Sequence, residues 1–144
     1  MDSEENVYEV ELRWKEQLKI EAKIRNFKSF LMDDRIKGNN SAPTPVEMFL
    51  SSIGSCMTMA FLYCCHISKI QLKSADVNVK ISGKLGRIDK RLRLIKSKVV
   101  VFTIKSSENS LKIQKCFEKF QPFCILAESV RAAIPVTSEL KLVD

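Results

Sequence analysis

The chain has 144 residues, of which 45% are hydrophobic and 28% charged, and this composition predicts one soluble domain with a single core. Four glycines, four prolines and five cysteines exclude a linker-rich chain and a disulfide scaffold. The net charge of +7 favours a small anionic ligand. However, the basic residues are dispersed, and no zinc-finger, RNP or helix-turn-helix pattern accompanies them, so we expect no nucleic-acid partner.

The N-terminal residues, 1–6, are acidic and polar, and we expect them to form a disordered tail. They lack the basic and then apolar pattern of a signal peptide. We expect that no apolar stretch reaches the roughly 18 residues that are needed to cross a bilayer. We therefore expect a cytoplasmic protein with no membrane partner.

The first third of the chain shows the alternation of apolar and polar residues that is typical of β-strands. Residues 7–14 and 18–24 alternate on either side of a short polar turn, which predicts a hairpin. Residues 27–32 predict a third strand. The segment 33–43 contains the run Gly38-Asn39-Asn40-Ser41, and it predicts a loop.

A long apolar helix is predicted from Pro45 to Ser68, because Thr44 precedes a proline and an acid follows in the first turn. It is apolar on nearly every side, so we expect it to be buried, with help from a partner subunit. The remaining elements are predicted as strands over 77–81 and 94–104, helices over 111–120 and from Cys124 onwards, and a strand over 135–143. The order βββ-α-ββ-αα-β predicts an α+β fold in one domain, residues 1–144.

Two of the cysteines lie in settings that suit a reactive thiol. The positive end of a helix lowers the pKa of a cysteine near it, an effect that favours Cys124 over Cys56, which lies three turns into its helix. The other three, Cys64, Cys65 and Cys116, are expected to be buried structural thiols. Consecutive residues on a helix point 100° apart, so the run at 64–66 does not predict a metal site. We expect neither a metal nor a cofactor.

The segment with Pro45, Glu47 and Cys56, the later Phe123-Cys124 and the order of elements resemble the OsmC/Ohr family of osmotically inducible and organic hydroperoxide resistance proteins. The resemblance covers roughly residues 7–143. It implies that two chains intertwine into a homodimer, with antiparallel sheets wrapped around central helices. It also implies that the Cys56 thiolate attacks a hydroperoxide, that Cys124 resolves the product, and that an external dithiol regenerates both.

One position departs from the pattern of the peroxidases in this family. They carry a glutamate immediately after the helix-starting proline, and it holds an arginine that activates the cysteine. Here Val46 takes that position and Glu47 follows it. On a regular helix Glu47 and Cys56 face opposite sides, unless the helix bends, for example at Gly54. Among the candidate cations, Arg13 and Lys15 are nearest the expected loop, while Arg25 and Arg35 lie beyond it.

The sequence therefore leaves two functions open. The first is a thiol-dependent peroxidase for organic hydroperoxides, with Cys56 and Cys124 as the catalytic pair and Glu47, Arg13 and Arg25 as weaker candidates. The second is a dimeric protein that binds a small anionic or apolar ligand and has little peroxidase activity. Position 46 distinguishes the two functions, because the peroxidases of the family have a glutamate there and this chain has Val46. An acid in the first turn of a helix stabilises the helix dipole whatever the chemistry, so Glu47 itself has a structural interpretation.

Overall fold

The computed structural model of the protein describes residues 6–105 and 110–144, and for residues 96–101 it describes the backbone alone. Residues 1–5 of the expected N-terminal tail lie outside the described residues. The strands are β1 (Glu11–Glu16), β2 (Lys19–Lys23), β3 (Phe30–Met32), β4 (Val77–Ile88), β5 (Arg91–Lys105) and β6 (Val136–Val143), and the helices are α1 (Pro45–Ile67), α2 (Ser110–Lys119) and α3 (Ile125–Val130). This order confirms the predicted α+β fold.

The chain divides into two compact units, Met1–Phe49 and Leu50–Asp144. The first unit contains an antiparallel sheet in the order β1-β2-β3. Its loop after β3 is organised around Asp33, whose carboxylate accepts hydrogen bonds from the backbone and hydroxyl of Ser41 and from the backbone of Asn39. These bonds hold the pKa of Asp33 below its usual range. The loop is therefore fixed by an acid that is only 3% exposed.

The second unit contains a sheet in the order β4-β5-β6. Strands β4 and β5 form a long antiparallel hairpin, closed by Asp89 and Lys90, which both have positive φ as a two-residue hairpin turn requires. Strand β6 runs parallel to β5. A parallel neighbour needs a crossover connection, and the segment that carries α2 and α3 supplies it.

The core of this unit lies where α1 meets the sheet. Every fourth residue of α1 from Ile53 to Cys65 is buried, and these residues form one stripe along the helix. Phe61 in that stripe contacts Phe102 of β5 edge-on, with ring centroids 5.4 Å apart, and it contacts Phe120 after α2 at 5.7 Å. Helix, sheet and the α2 segment thus share one aromatic cluster.

Within one chain α1 is buried on one face, and its burial by a partner subunit stays a prediction. Met59 is 69% exposed, and Tyr63 and Ile67 are similarly exposed on the face away from the core. The helix also corrects the expectation that no segment is long and apolar enough to cross a bilayer, because an 18-residue window of α1 has a mean hydropathy of 1.5. A core helix of a soluble protein passes the same test, and the buried stripe shows that one face of α1 is used in this way.

Candidate functional site

The structure brings the thiols of Cys56 and Cys124 together, within hydrogen-bonding contact of each other. Cys56 is half-buried on α1, whereas Cys124 is fully buried at the N-cap of α3. A single 3-10 turn, Gln121–Phe123, precedes Cys124, and the Cys124 backbone donates a hydrogen bond to the carbonyl of Gln121 at 3.1 Å. The proline-interrupted connection between α2 and α3 therefore places the second thiol against α1.

The pKa of Cys124 is raised to about 11, and burial is the largest cause. The backbone N–H groups of Leu126 and Ala127, in the first turn of α3, act in the opposite direction. The prediction that Cys124 has a lowered pKa is therefore wrong, because burial of the thiol outweighs the effect of the helix start. The sequence showed the helix start but not the depth of burial.

The hydrogen bond between the two thiols also raises the pKa of Cys124. A hydrogen bond raises a thiol's pKa when it favours the protonated form. At neutral pH Cys124 is thus a protonated, buried thiol in contact with the half-buried sulfur of Cys56. A thiol that is reachable from outside, next to one that is not, suits a division between attacking and resolving roles.

A groove of about 470 Å³ runs between α1 and β4, and one of its lining residues, Ser55, directly precedes Cys56 in the sequence. Its walls are mostly apolar, and the hydroxyl groups of Ser55 and Thr58 add polar positions. Gly54 sets how closely the helix approaches the strand, because a Cβ atom there would lie only 3.1 Å from Cγ2 of Ile81. This volume lies within the range of small-molecule sites. The close approach, rather than a bend, explains the glycine in this continuous helix.

The charged candidates all lie in the first unit, where each has a local partner. Glu47 accepts hydrogen bonds from the backbone and hydroxyl of Thr44 at 2.8 and 3.0 Å, and its own N–H bonds back to that hydroxyl, which completes a capping box. These bonds, with a smaller effect of the Arg35 charge, hold the pKa of Glu47 below its usual range. Arg13 pairs with Glu11 at 2.9 Å.

Arg25 lies over the ring of Phe27, with its guanidinium carbon 4.8 Å from the ring centroid. The contacts of Glu47, Arg13 and Arg25 thus account for structural roles within residues 1–49. Their catalytic roles stay predictions. Arg35, one of the two cations that were expected beyond the loop, is the cation among the described residues whose charge lowers the pKa of Glu47.

The sequence analysis missed a second group of thiols. Cys116 of α2 contacts both Cys64 and Cys65 near the end of α1, and its sulfur donates a hydrogen bond to the hydroxyl of Ser68 at 3.4 Å. Burial raises the pKa of Cys65 to about 12. A signal was available: Cys65 continues the buried stripe of α1, and Cys116 lies on the buried face of α2 with Ile113.

The fold and the site define an OsmC-like protein. The family model described as OsmC-like protein matches residues 38–139, most of the chain, so this protein belongs to that family. A search of curated proteins finds no significant match.

Solved structures agree with this assignment along nearly the whole chain. An OsmC-like protein from Mycoplasma pneumoniae is 16% identical and superposes with a TM-score of 0.78, covering 97% of this chain and 99% of that one. An organic hydroperoxide resistance protein from Elizabethkingia anophelis is 17% identical with a TM-score of 0.75, covering 96% and 99%. One from Legionella pneumophila is 15% identical with a TM-score of 0.74, covering 95% and 98%. At these identities the likeness shows the shared fold.

Proposed function

We propose that this OsmC-like protein is a thiol-dependent peroxidase that reduces organic hydroperoxides. The observation that carries the proposal is the contact between a half-exposed Cys56 and a buried, protonated Cys124. Two structural neighbours are named organic hydroperoxide resistance proteins, which supports the same activity. Cys56 is the attacking residue and Cys124 the resolving residue.

The reaction begins when the Cys56 thiolate attacks the distal oxygen of the hydroperoxide. The O–O bond breaks, an alkoxide leaves and takes up a proton to become an alcohol, and Cys56 becomes a sulfenic acid. The Cys124 sulfur then attacks the Cys56 sulfur, its proton joins the departing hydroxide, and water and a disulfide result. The existing hydrogen bond between the two thiols means that this step needs little movement. An external dithiol restores both thiols by exchange.

The groove beside α1 supports an organic rather than an inorganic peroxide. Met59, Leu62, Val79 and Ile81 provide apolar walls for an alkyl or aryl group. Ser55 lines the groove and is the residue before Cys56, so a hydroperoxide held there lies next to the helix turn that carries the attacking sulfur. Hydrogen peroxide has no apolar part that would gain from this surface.

The active form in this proposal is a homodimer. The outer face of α1 presents Met59, Tyr63 and Ile67, and the residues that flank Cys124, Phe123 and Ile125, are 76% and 74% exposed. Apolar residues at this helical spacing form an extended patch, and such patches on soluble proteins mark interfaces. A second chain on this face would cover both the helix and the surroundings of the resolving thiol.

A second candidate function has one observation in its favour. Val46 takes the position of the glutamate that peroxidases of this family use, and Glu47 is already engaged in capping α1. A dimeric protein that binds a small apolar or anionic ligand in the groove would need neither a held arginine nor an activated sulfur. In that case Cys56 and Cys124 would be in contact but would not reduce peroxide catalytically.

Peroxide consumption distinguishes the two candidates. We expect the purified protein with dithiothreitol to consume cumene hydroperoxide faster than hydrogen peroxide, and Cys56→Ser to abolish this consumption. Cys64→Ser is the matched control, since it removes a half-buried thiol from the same helix, and we expect it to retain turnover. A folded wild-type protein that consumes neither peroxide, or an active Cys56→Ser variant, would overturn the proposal.

A further inference from the structure

The end of α1 holds a second group of thiols that the proposed peroxidase reaction does not use. Cys64 lies eight residues after Cys56, which is about 12 Å farther along the helix axis at the rise of an α-helix. Across from it, α2 contributes Cys116, whose thiol is in hydrogen-bonding contact with those of Cys64 and Cys65. The group is therefore too distant from Cys56 to share its reaction without a large movement.

Cys116 is the centre of this group. Its sulfur lies 3.4 Å from the hydroxyl oxygen of Ser68, to which it donates a hydrogen bond. The thiols of Cys64 and Cys65 are both in hydrogen-bonding contact with the Cys116 sulfur. One buried sulfur thus has two thiol neighbours at contact distance, both from the same helix.

Exposure distinguishes the two neighbours. Cys65 and Cys116 are 2% and 3% exposed, whereas Cys64 is half-buried. The positive charge of Lys119 acts to lower the pKa of Cys64, against the effect of burial. A reagent from solution therefore meets Cys64 first. Among the described residues, no three His, Cys, Asp or Glu side chains are placed to hold a metal ion, which favours thiol chemistry over metal binding.

We propose that Cys64 and Cys116 form a second thiol–disulfide site, which a small-molecule disulfide oxidises independently of Cys56 and Cys124. Cys64 loses its proton and attacks one sulfur of the small disulfide, whose S–S bond breaks to release one thiol and leave a mixed disulfide on Cys64. Cys116 then loses its proton, attacks the Cys64 sulfur and releases the second thiol. The protein dithiol is oxidised by two electrons, and one small disulfide becomes two thiols.

The product would tie the end of α1 to α2. Helix α2 is followed by Phe120, a member of the aromatic core, and then by the turn that positions Cys124. A bond between α1 and α2 closes a long loop that contains β4 and β5, which constrains the unfolded chain. We therefore expect the oxidised protein to have a higher Tm than the reduced one, with no direct change at Cys56.

The sequence makes this linkage easy to identify. Trypsin places Cys116 in the peptide 116–119 and Cys124 in the peptide 120–131, because Lys115, Lys119 and Arg131 are the flanking cleavage sites. Cys56, Cys64 and Cys65 share the peptide 38–69, and chymotrypsin separates Cys56 from the other two by cutting after Tyr63. The two disulfides therefore give peptides of different mass.

The experiment incubates the folded full-length protein with oxidised glutathione, blocks the remaining thiols with iodoacetamide, and maps the linkages by mass spectrometry. We expect a Cys64–Cys116 linkage in wild-type protein and equally in Cys56→Ser, together with a raised Tm. Cys65→Ala is the matched control, because it removes the other thiol neighbour of Cys116 and should keep the linkage. Cys64→Ser should lose it.

Mapping of the wild-type protein decides the question even if a variant fails to fold. The proposal is overturned if Cys116 is alkylated without forming any linkage, or if it links to Cys65. A Cys64–Cys116 linkage that forms only in guanidinium would overturn it too, since the folded geometry would then contribute nothing.

Discussion

The two groups of thiols share helix α1 but differ in what surrounds the sulfur that a reagent meets first. At the first site, the half-buried Cys56 is in contact with the fully buried Cys124. At the second, burial raises the pKa of the half-buried Cys64 itself, and the buried Cys116 lies beside it. A raised pKa reduces the fraction of thiolate, which is the reactive form, so Cys64 must lose its proton before it exchanges with a disulfide. Two half-buried thiols on one helix thus have different surroundings, and the predictions below test whether their reactions differ.

The largest effect is expected from removing the resolving thiol, Cys124. In Cys124→Ser, peroxide should still oxidise Cys56, but the sulfenic acid has no resolving partner and should accumulate as a dimedone adduct. We expect sustained turnover of cumene hydroperoxide to fall by at least about tenfold, because the lost step is intramolecular. Cys116→Ser, the equivalent change at the second site, should retain turnover and give no dimedone adduct beyond the wild-type amount. Equal losses in both variants would contradict the division between the sites.

The two buried thiols should also make stability depend on alkaline pH. The folded pKa of Cys124, about 11, and of Cys65, about 12, both lie above the ordinary value of 9.0. Above pH 9 the unfolded chain releases these protons and the folded protein does not. Stability is therefore complete below pH 9 and falls as pH rises through the folded values.

Denaturant unfolding between pH 8 and 11 measures this dependence. The loss due to Cys124 should be on the order of 2 kcal/mol by pH 11, since one pKa unit corresponds to about 1.4 kcal/mol. Cys124→Ala should remove this share of the slope and Cys65→Ala the other share. If neither variant flattens the slope, the buried thiols are not its cause.

The order of elements could be predicted from the sequence because it depends on local patterns. Alternation marked β1 and β2 as a hairpin, and Thr44, Pro45 and Glu47 marked the start of α1. The pKa of Cys124 could not be predicted in the same way, because burial by residues distant in sequence outweighs the helix start. The contact of Cys116 with Cys64 depends on how α2 packs against α1, although the buried stripes of both helices were visible in the sequence.

The turn structures show the same limit on a smaller scale. Asp89 and Lys90 close the β4–β5 hairpin with positive φ, without the Asn-Gly or Asp-Gly pair that would have marked the turn in the sequence. The outer face of α1 is a different case. Its apolar residues were expected to be buried with the help of a partner subunit, and within one chain the structure exposes them, so their burial stays a prediction.

Gly54 offers a way to test the groove beside α1. This groove is what distinguishes a substrate site at Cys56 from a structural thiol in the core. The added side chain in Gly54→Val would contact Ile81, because even a Cβ atom would lie 3.1 Å from it. We expect a destabilisation of about 2 kcal/mol by overpacking, measured by urea unfolding, and a raised KM for cumene hydroperoxide. Ser51→Val lies one turn earlier at an exposed position of the same groove and should cost only a few tenths of a kcal/mol for the β-branched side chain. Equal losses at both positions would argue against close packing at Gly54.

The smallest effect is expected at the start of α1, where Glu47 has both a structural and a catalytic interpretation. Thr44→Ala removes the hydroxyl that binds the Glu47 backbone N–H at 3.2 Å, and we expect a loss of about 1 kcal/mol in the free energy of unfolding. Because hydrogen bonds from Thr44 lower the pKa of Glu47, the stabilisation by this carboxylate is present above its ordinary value of 4.5 and is lost as the pH falls. Glu47→Gln should abolish that acid dependence and leave kcat/KM for cumene hydroperoxide at the wild-type value. A large fall in kcat/KM at unchanged stability would instead give Glu47 a role in the reaction, in spite of its place one residue after Val46.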